Sequence, residues 1–545
     1  MPVSVFQAKR IITLNGYRPF ATHVAVRDGR ILGMGDETML TAFGRASLDD
    51  RFAGKVLMPG FVEGHAHVFE GMVWDDRYVG FFDRRGPDGR VWPGLTSIDA
   101  VVEVLAAEAA ALTDPTRALS AWGFDPIYFD GRRMTRCDLD RVSTTRPVLV
   151  LHASAHILNV NSAALDLVGL RDDTDLDGLA RDEAGRLTGE LLGPEAMGWV
   201  RSKIDRVPVL RAADERVLRR FADIARASGV TTCTDLLNQL GAEAVEVLTT
   251  VTGADDFPIR LAPALAQRMH SLDDGVARWK VLAGASTDRL KFGLVKLVVD
   301  GSIQGFTARL RWPGYHNGAP NGMWYMAPAD VMQVVDAYHA AGAHLQIHTN
   351  GDQASELAID AIEAALIRTP RADHRHTLQH AQMLDEALLR RMKTLGICCN
   401  IFANHIYYWG DAHAAQTVGP VRAERLDPCG TALRLGVPFS MHSDAPITPV
   451  APLFTAWCAV NRLTASGALL GAEERIPVEA ALRAVTLGVA YTMKLDHLVG
   501  SIDVGKYADF AVLDDDPLAV DPMALKDVGV HATVVGGRVF PAPGS

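Results

Sequence analysis

The spacing of hydrophobic residues changes character along the chain, and each change predicts a different kind of element. Near the start, Val24-Ala25-Val26 and Arg30-Ile31-Leu32-Gly33 flank Asp28-Gly29, a dipeptide that favours a tight hairpin turn. The far end repeats the pattern. Residues 508–514 read as a strand, and 532–540 as a hairpin turning at Gly536-Gly537. Neither end is long enough to bury a good core alone. Residues 1–57 and 491–545 are therefore expected to form one small β-sandwich domain beside a central domain.

From about 58 to 490, apolar runs of strand length alternate with stretches carrying Ala and Leu at helical spacing. The strands are expected at 56–62, 229–234, 259–265, 294–299, 344–348, 377–380, 397–401 and 437–441. Helices are expected at 217–227, 328–341, 353–366 and 385–395, among others. This alternation predicts an α/β fold, a (β/α)8 TIM barrel, whose catalytic groups belong at the C-terminal ends of the strands. Residues 69–210 do not fit, being far longer than a strand-to-helix loop. They hold a strand of their own at 147–152, a turn at Asp182-Glu183-Ala184-Gly185-Arg186, and Trp74, Trp92, Trp122 and Trp199. The expectation is an inserted subdomain after barrel strand 1, standing over the barrel mouth.

Composition narrows the function classes. The 545 residues are 48% hydrophobic and 22% charged, as in ordinary globular proteins. The net charge of -11 is spread without long runs of one sign, which argues against nucleic acid. No apolar run reaches the roughly 18–20 residues that span a bilayer, and the first ten residues lack the order of a secretion signal. The six cysteines contain no Cys-x-x-Cys pair, and Cys398 and Cys399 are adjacent. Reduced thiols, a cytoplasmic location and no membrane partner are expected.

The chemistry begins at His65-Ala66-His67, which closes the first barrel strand. Alternate residues of a strand point the same way, so the two imidazoles can converge. That suits a divalent metal, zinc above all; two loop histidines placed by chance would give the same pattern. Four later strand-like runs end in or carry Lys296, His348, His380 and Asp444. Lys296 lies in an apolar strand, where a charged amine is costly to bury. It is either an exposed or salt-bridged lysine, or a neutral amine that adds carbon dioxide to give a metal-bridging carbamate. His348 shares a face with His344 and Gln346. His380 stands latest in a run with His374 and His376, which are expected at the surface or behind the site. Asp444 can bind metal and accept a proton from water, or can serve as a turn residue before Ala445-Pro446. Trp122, Tyr128, Phe129, Trp312, Tyr315, Trp324, Tyr325, Tyr407, Tyr408 and Trp409 fall where the mouth is expected. Singly each suits core or lid packing; together they favour a partly apolar or aromatic substrate.

In this order the residues resemble the amidohydrolase superfamily. Lys296-Leu297-Val298-Val299-Asp300-Gly301-Ser302, Ile347-His348-Thr349-Asn350-Gly351-Asp352-Gln353-Ala354, Gln379-His380-Ala381-Gln382 and Ser443-Asp444-Ala445-Pro446 are similar to amidohydrolase family 3. That branch includes YtcJ-like proteins and N-substituted formamide deformylases. Ala121-Trp122-Gly123-Phe124-Asp125, Ser154-Ala155-His156 and Asn161-Ser162 look like its inserted subdomain. Gly500–Asp509, as a motif, looks like its closing β-domain. Gly64 stands where the branch usually has Ser or Thr.

The resemblance implies that His65, His67 and Asp444 bind the more buried ion, His348 and His380 a second, and carboxylated Lys296 bridges them. A single ion on His65, His67, His348 and Asp444 is the other arrangement it allows. His156 would meet a substrate carbonyl, and Trp122, Asp300 and Arg309 would lie near the substrate, although an Asp300–Arg309 salt bridge is the plainer reading. The implied reaction is hydrolysis of a C–N bond (amide, formamide or cyclic amide) in a small molecule by metal-activated hydroxide, with Asp444 as general acid and base. Zinc is the first choice; manganese, iron and cobalt fit mixed nitrogen and oxygen ligands as well. The same barrel could cleave an ester, carbamate or C–C bond. A non-catalytic scaffold would have lost ligands, whereas all six are present. Large barrels of this class often pair, which makes a homodimer the expected assembly.

Overall fold

The computed structural model describes residues 2–542 apart from 115, 130 and 205–213. The expected end of the insertion at residue 210 and the final residues of the terminal domain lie outside the described residues. The chain divides into two compact units, Met1–His67 with Ala222–Ser545, and Val68–Phe221.

The first unit contains eight parallel strands in sequential order. We label them β1 (Phe61–Glu63), β2 (Val230–Asn238), β3 (Arg260–Ala266), β4 (Leu294–Val298), β5 (His344–Thr349), β6 (Thr377–His380), β7 (Cys398–Ile401) and β8 (Phe439–Met441). Helices such as Pro328–Ala341, Asp352–Arg368 and Glu386–Leu395 connect them. Each strand pairs in parallel with its neighbour from β1 to β8. The ring is completed just beyond the ends of β1 and β8 by a parallel bridge between Ala66 and Ala445. This is the expected (β/α)8 barrel, nearly closed.

Both chain ends join one seven-stranded mixed sheet in the same unit. Its strands are Arg538–Pro541, Val530–Val535, Phe510–Leu513, Ala46–Pro59, Val3–Ile12, Phe20–Arg27 and Arg30–Gly35, in that spatial order. Phe6, Ile11, Val24, Phe52, Leu57, Phe510, Val512 and Val534 form its buried core. Both expected hairpins are present. Asp28 and Gly29 have φ of 52° and 73°, and Gly536 and Gly537 of 58° and 78°, the left-handed backbone that Asp-Gly and Gly-Gly supply.

The apolar run at 56–62 is split by Gly60 into the end of a terminal strand and β1. Hydrogen bonding changes sheets at this residue: Gly60 N–H donates to Asp509 O at 3.0 Å, whereas Phe61 N–H donates to Gly229 O at 3.1 Å. A Cβ on Gly60 would stand 2.0 Å from Thr231 Oγ1, so only glycine allows β2 to approach. A second tie lies nearby. Arg260 of β3 holds the Asp509 carboxylate through Nε and Nη2 at 2.6 and 2.9 Å, both groups being buried.

The second unit is built on a six-stranded mixed sheet. Its interior strands Leu119–Phe124 and Val148–His152 are buried on both faces. Leu149 and Leu151 join Trp122, Leu158 and Val160 in one apolar set. Val148 and Val150 join Leu119, Phe124 and the helix Ile98–Ala111 in another. A sheet covered on both sides yields the continuous apolar run seen in 147–152 rather than strict alternation.

No disulfide forms among the described residues, and five of the six cysteines are buried. No helix among the described residues is long and apolar enough to cross a membrane.

His374 and His376 are buried rather than at the surface, and lie at the end of β6 away from His380. His376 Nε2 lies 2.9 Å from His339 Nδ1, and His376 Nδ1 accepts Leu345 N–H at 3.1 Å. His344 Nε2 donates to Arg375 O at 2.6 Å. Burial pulls the His344 imidazole down to about 3 and that of His376 well below the ordinary range. A histidine depressed in the fold binds its proton more tightly when unfolded, so its stabilisation is present above the unfolded value near 6.5 and is lost as pH falls toward 3. Urea midpoints are expected to drop between pH 7 and pH 4, with a shallower drop in His344→Gln than in the parent. Separately, Asp509→Ala strands a buried guanidinium and is expected to cost about 3–5 kcal/mol of unfolding free energy by the same measurement.

Candidate metal centre

The six expected ligands all fall at or inside the ends of the barrel strands. His65 and His67 follow β1, Lys296 lies within β4, His348 within β5, His380 ends β6, and Asp444 lies three residues beyond β8. His65, Lys296, His348, His380 and Asp444 are buried, and His67 is more open.

They gather in two overlapping sets. His65 Nε2 and His67 Nε2 face Asp444 Oδ1 at 3.3 and 3.2 Å. His380 Nε2 lies 2.8 Å from His348 Nδ1, and His380 Nδ1 lies 3.8 Å from Asp444 Oδ2. Lys296 Nζ lies 3.3 Å from His65 Nε2. Among the described residues, two groups have ligand atoms within 4.8 Å of one another, His65–His67–Asp444 and His65–His380–His442. Each brings neutral nitrogen donors, with or without a carboxylate, to one point, the donor chemistry of a divalent metal site.

Main-chain closure places the first set. Asp444 N–H donates to His65 O, and His67 N–H donates to Ala445 O, both at 2.9 Å. Glu63 clamps the same seam: its carboxylate accepts His65 N–H at 3.0 Å and Ser443 Oγ–H at 2.7 Å. His380, Ala381 and Asp444 have φ of 71°, 52° and 54°, the left-handed region that side chains other than glycine rarely occupy.

A ladder of amides sets the tautomer of His65. Gln379 Oε1 accepts Asn400 Nδ2–H at 2.9 Å and lies 2.8 Å from His65 Nδ1. An oxygen only accepts, so His65 Nδ1 carries the proton and Nε2 presents its lone pair toward Asp444. Ser440 Oγ donates to Asn400 Oδ1 at 2.8 Å and continues the ladder onto β8.

The buried setting disfavours extra charge. Burial lowers the Lys296 amine to about 7, and the His65 and His380 imidazoles well below their usual range. Burial alone would raise the Asp444 carboxylate; His67, His442 and Lys296 outweigh it and hold Asp444 below its ordinary value. Burial raises Glu63 to about 7.

The residues expected near the substrate are placed less uniformly. Trp122 and His156 belong to the second unit. Trp122 is buried there, edge-on to Trp74 at 5.1 Å and under the Arg84 guanidinium at 5.0 Å. Asp300 is not joined to the Arg309 guanidinium. It accepts the main-chain N–H groups of Arg309, Asn350 and Gly351 at 2.9–3.0 Å, because a fully buried carboxylate needs donors and the loops after β4 and β5 supply amides. The Arg309 side chain turns instead to Gln353 Oε1 and Gly322 O, over the Trp324 ring. Among the aromatics, Tyr315 is core and Trp312 is 94% exposed.

The sequence reading passed over His442, Glu63 and the role of Gln379. His442 had a signal: it stands two residues before Asp444, the spacing that singled out His65 and His67.

An eight-stranded parallel barrel with buried histidines and a carboxylate gathered at its strand ends defines a class, the barrel hydrolases with a metal-binding centre. Within it, the chain belongs to the amidohydrolase family, whose model matches residues 53–541. It is 28% identical over 538 residues to the putative amidohydrolase YtcJ of Bacillus subtilis (strain 168), covering 95% of each chain. It is 28% identical over 541 residues to an N-substituted formamide deformylase of Arthrobacter pascens, covering 96% of each. The fold is similar to that of an uncharacterized metal-dependent hydrolase from Pyrococcus horikoshii OT3, with a TM-score of 0.72, 20% identity, and coverage of 95% of this chain and 99% of that one.

Gln379→Leu removes the acceptor that orients His65. Retention of divalent metal, measured by chelator competition, is expected to weaken about 10–100-fold while the circular dichroism spectrum is unchanged.

Proposed function

We propose that this protein hydrolyses a C–N bond of a small amide-type substrate, an N-substituted formamide or cyclic amide included, with one or two divalent ions held by the barrel. The observation that carries the reading is the convergence of His65 Nε2 and His67 Nε2 on Asp444 Oδ1, with the proton of His65 already committed to Gln379. The donor set fits the group: imidazole lone pairs and an ionised carboxylate, buried together, match zinc, and also manganese, iron or cobalt. The full-length similarity to an N-substituted formamide deformylase favours an amide over other carbonyl substrates.

His65, His67 and Asp444 would hold one ion, and His348 and His380 the other. A divalent ion there supplies a Lewis acid that polarises the substrate carbonyl and makes water a better nucleophile at neutral pH. Asp444, kept ionised beside His67, takes the proton that water loses and returns it to the departing nitrogen. Lys296 has an amine close enough to neutrality to add carbon dioxide, giving a carbamate and releasing a proton. The carbamate would replace a buried cation by a ligand of opposite sign. Burial of the strand ends keeps these charges out of bulk water, where each would act more weakly.

The purified protein is expected to carry zinc or a related divalent metal and to lose turnover on chelation. Asp444→Asn is expected to lower kcat by about 10²–10⁴-fold on the best amide substrate. A panel of N-substituted formamides, cyclic amides, esters and carbamates, scored by product mass, tests the bond cleaved. Turnover of esters with none of amides would overturn the assignment.

A further inference from the structure

His442 is buried among the ligand histidines and belongs to neither of the two ion sites assigned above. Its Nε2 lies 3.2 Å from His380 Nδ1. Its ring stacks on His65, with centroids 4.8 Å apart, and on Phe402 at 4.7 Å. Its Nδ1 is buried without a hydrogen-bond partner among the described residues. Beyond His380 the contacts continue: His380 Nε2 lies 2.8 Å from His348 Nδ1, and His348 Nε2 lies 3.2 Å from the Gly301 carbonyl oxygen. Three imidazoles and a carbonyl thus form one line.

His348 Nε2 lies 3.2 Å from the Gly301 carbonyl oxygen, an acceptor, and 3.1 Å from Asn350 Nδ2, a donor that also bonds Gly301 O at 2.7 Å, so these contacts admit a proton on either nitrogen of His348. In the tautomer with the His348 proton on Nε2, His380 donates from Nε2 to His348 Nδ1, and its own Nδ1 accepts from His442 Nε2–H. A cation shared by His348 Nδ1 and His380 Nε2 needs a lone pair on each. The proton of His380 must then sit on Nδ1, where His442 Nε2 is the nearer acceptor at 3.2 Å and Asp444 Oδ2 the farther at 3.8 Å. His442 in turn carries its own proton on Nδ1. Every ring holds one proton before and after, so no charge is created or lost.

We propose that His442 is a positioning residue for the ion shared by His348 and His380. By accepting the Nδ1 proton of His380, it fixes the tautomer in which His380 Nε2 can bind a divalent cation. The role of outer partner to a ligating histidine usually falls to a carboxylate, a main-chain carbonyl or water. Here a third histidine fills it. A direct ligand role for His442 would use His380 Nδ1 as the second donor and take His380 Nε2 away from His348. It would also compete with His67 and Asp444 for the single lone pair of His65. The inference rests on the metal-binding reading of the centre.

The test loads the full-length protein with Zn²⁺ and measures ions per chain by elemental analysis and affinity by chelator competition. His442→Phe keeps the ring stack on Phe402 and removes the acceptor; His442→Gln replaces Nε2 by an amide oxygen that accepts a proton but ligates zinc poorly. Circular dichroism and thermal unfolding in excess chelator check each fold, and His442→Leu stands in for the Phe variant should it not fold. The weaker-held ion is expected to bind about 10–100-fold less tightly in His442→Phe and near parental affinity in His442→Gln. Histidine ¹⁵N spectra of the loaded parent and of the Gln variant are expected to show His380 protonated on Nδ1. Equal loss in both variants marks His442 as a direct ligand and overturns the proposal, as does parental binding in His442→Phe. A parent that takes up no divalent ion overturns the metal reading itself, an outcome distinct from either.

Discussion

Closure of the barrel between β1 and β8 is the constraint on which the site depends. The two strands do not pair along their length. They meet just past their ends, through Asp444 N–H to His65 O and His67 N–H to Ala445 O. The residues that make these main-chain bonds are the residues that carry the His65, His67 and Asp444 side chains, or their immediate neighbours. Ligand convergence is therefore a geometric consequence of closing the ring. Glu63 reinforces the seam from inside by bonding the main chain of His65 and both the main chain and hydroxyl of Ser443. Such a carboxylate is hard to replace structurally, because burial leaves its partners no water to turn to.

Beneath the ligands lies a polar layer in what would otherwise be an apolar barrel interior. Gln346, Gln379, Asn400 and Ser440, one each from β5 to β8, bond to one another in sequence. Buried amides are tolerated when every donor and acceptor is used. Their arrangement has a direction, set by the amide of Gln379, and that direction ends on His65 Nδ1. On the other side of the centre, His348 Nε2 faces both the Gly301 carbonyl and the Asn350 amide, and the imidazole line runs from there through His380 to His442.

Much of this was legible from residue order. Eight apolar runs spaced by helical stretches gave the barrel, since a parallel strand needs a crossover before the next can form. His65 and His67 stood out because strand alternation is a local rule, and Lys296 because a cation in Val-Leu-Val surroundings is costly. The remainder depends on contacts between distant segments. The split of 56–62 at Gly60 follows from the approach of Thr231, about 170 residues away by sequence number. Asp300 beside a downstream arginine suggested an ion pair, yet the loop after β5 presents main-chain amides that reach the carboxylate first. His374 and His376 looked peripheral because they precede β6. They are core because the other end of a barrel is sealed by packed loops, and a neutral imidazole with both nitrogens bonded packs well there. His442 was hidden by Asp444, whose carboxylate offered a sufficient reason for the whole strand end.

The strained backbone of the ligands follows from the same closure. A residue that ends a parallel strand must either continue outward or turn its side chain back over the ring. His380, Ala381 and Asp444 turn back, at a cost of the order of 1–3 kcal/mol for each left-handed residue. Each is held by bonds from a neighbouring strand end: Ala381 N–H to Thr349 O at 3.2 Å, Phe402 N–H to His380 O at 3.2 Å, and Asp444 N–H to His65 O at 2.9 Å. Because these bonds run between adjacent strands, relaxing one ligand to ordinary backbone angles would break the register of two. The bonds between strand ends, which offset this strain, hold the His380 and Asp444 side chains over the ring.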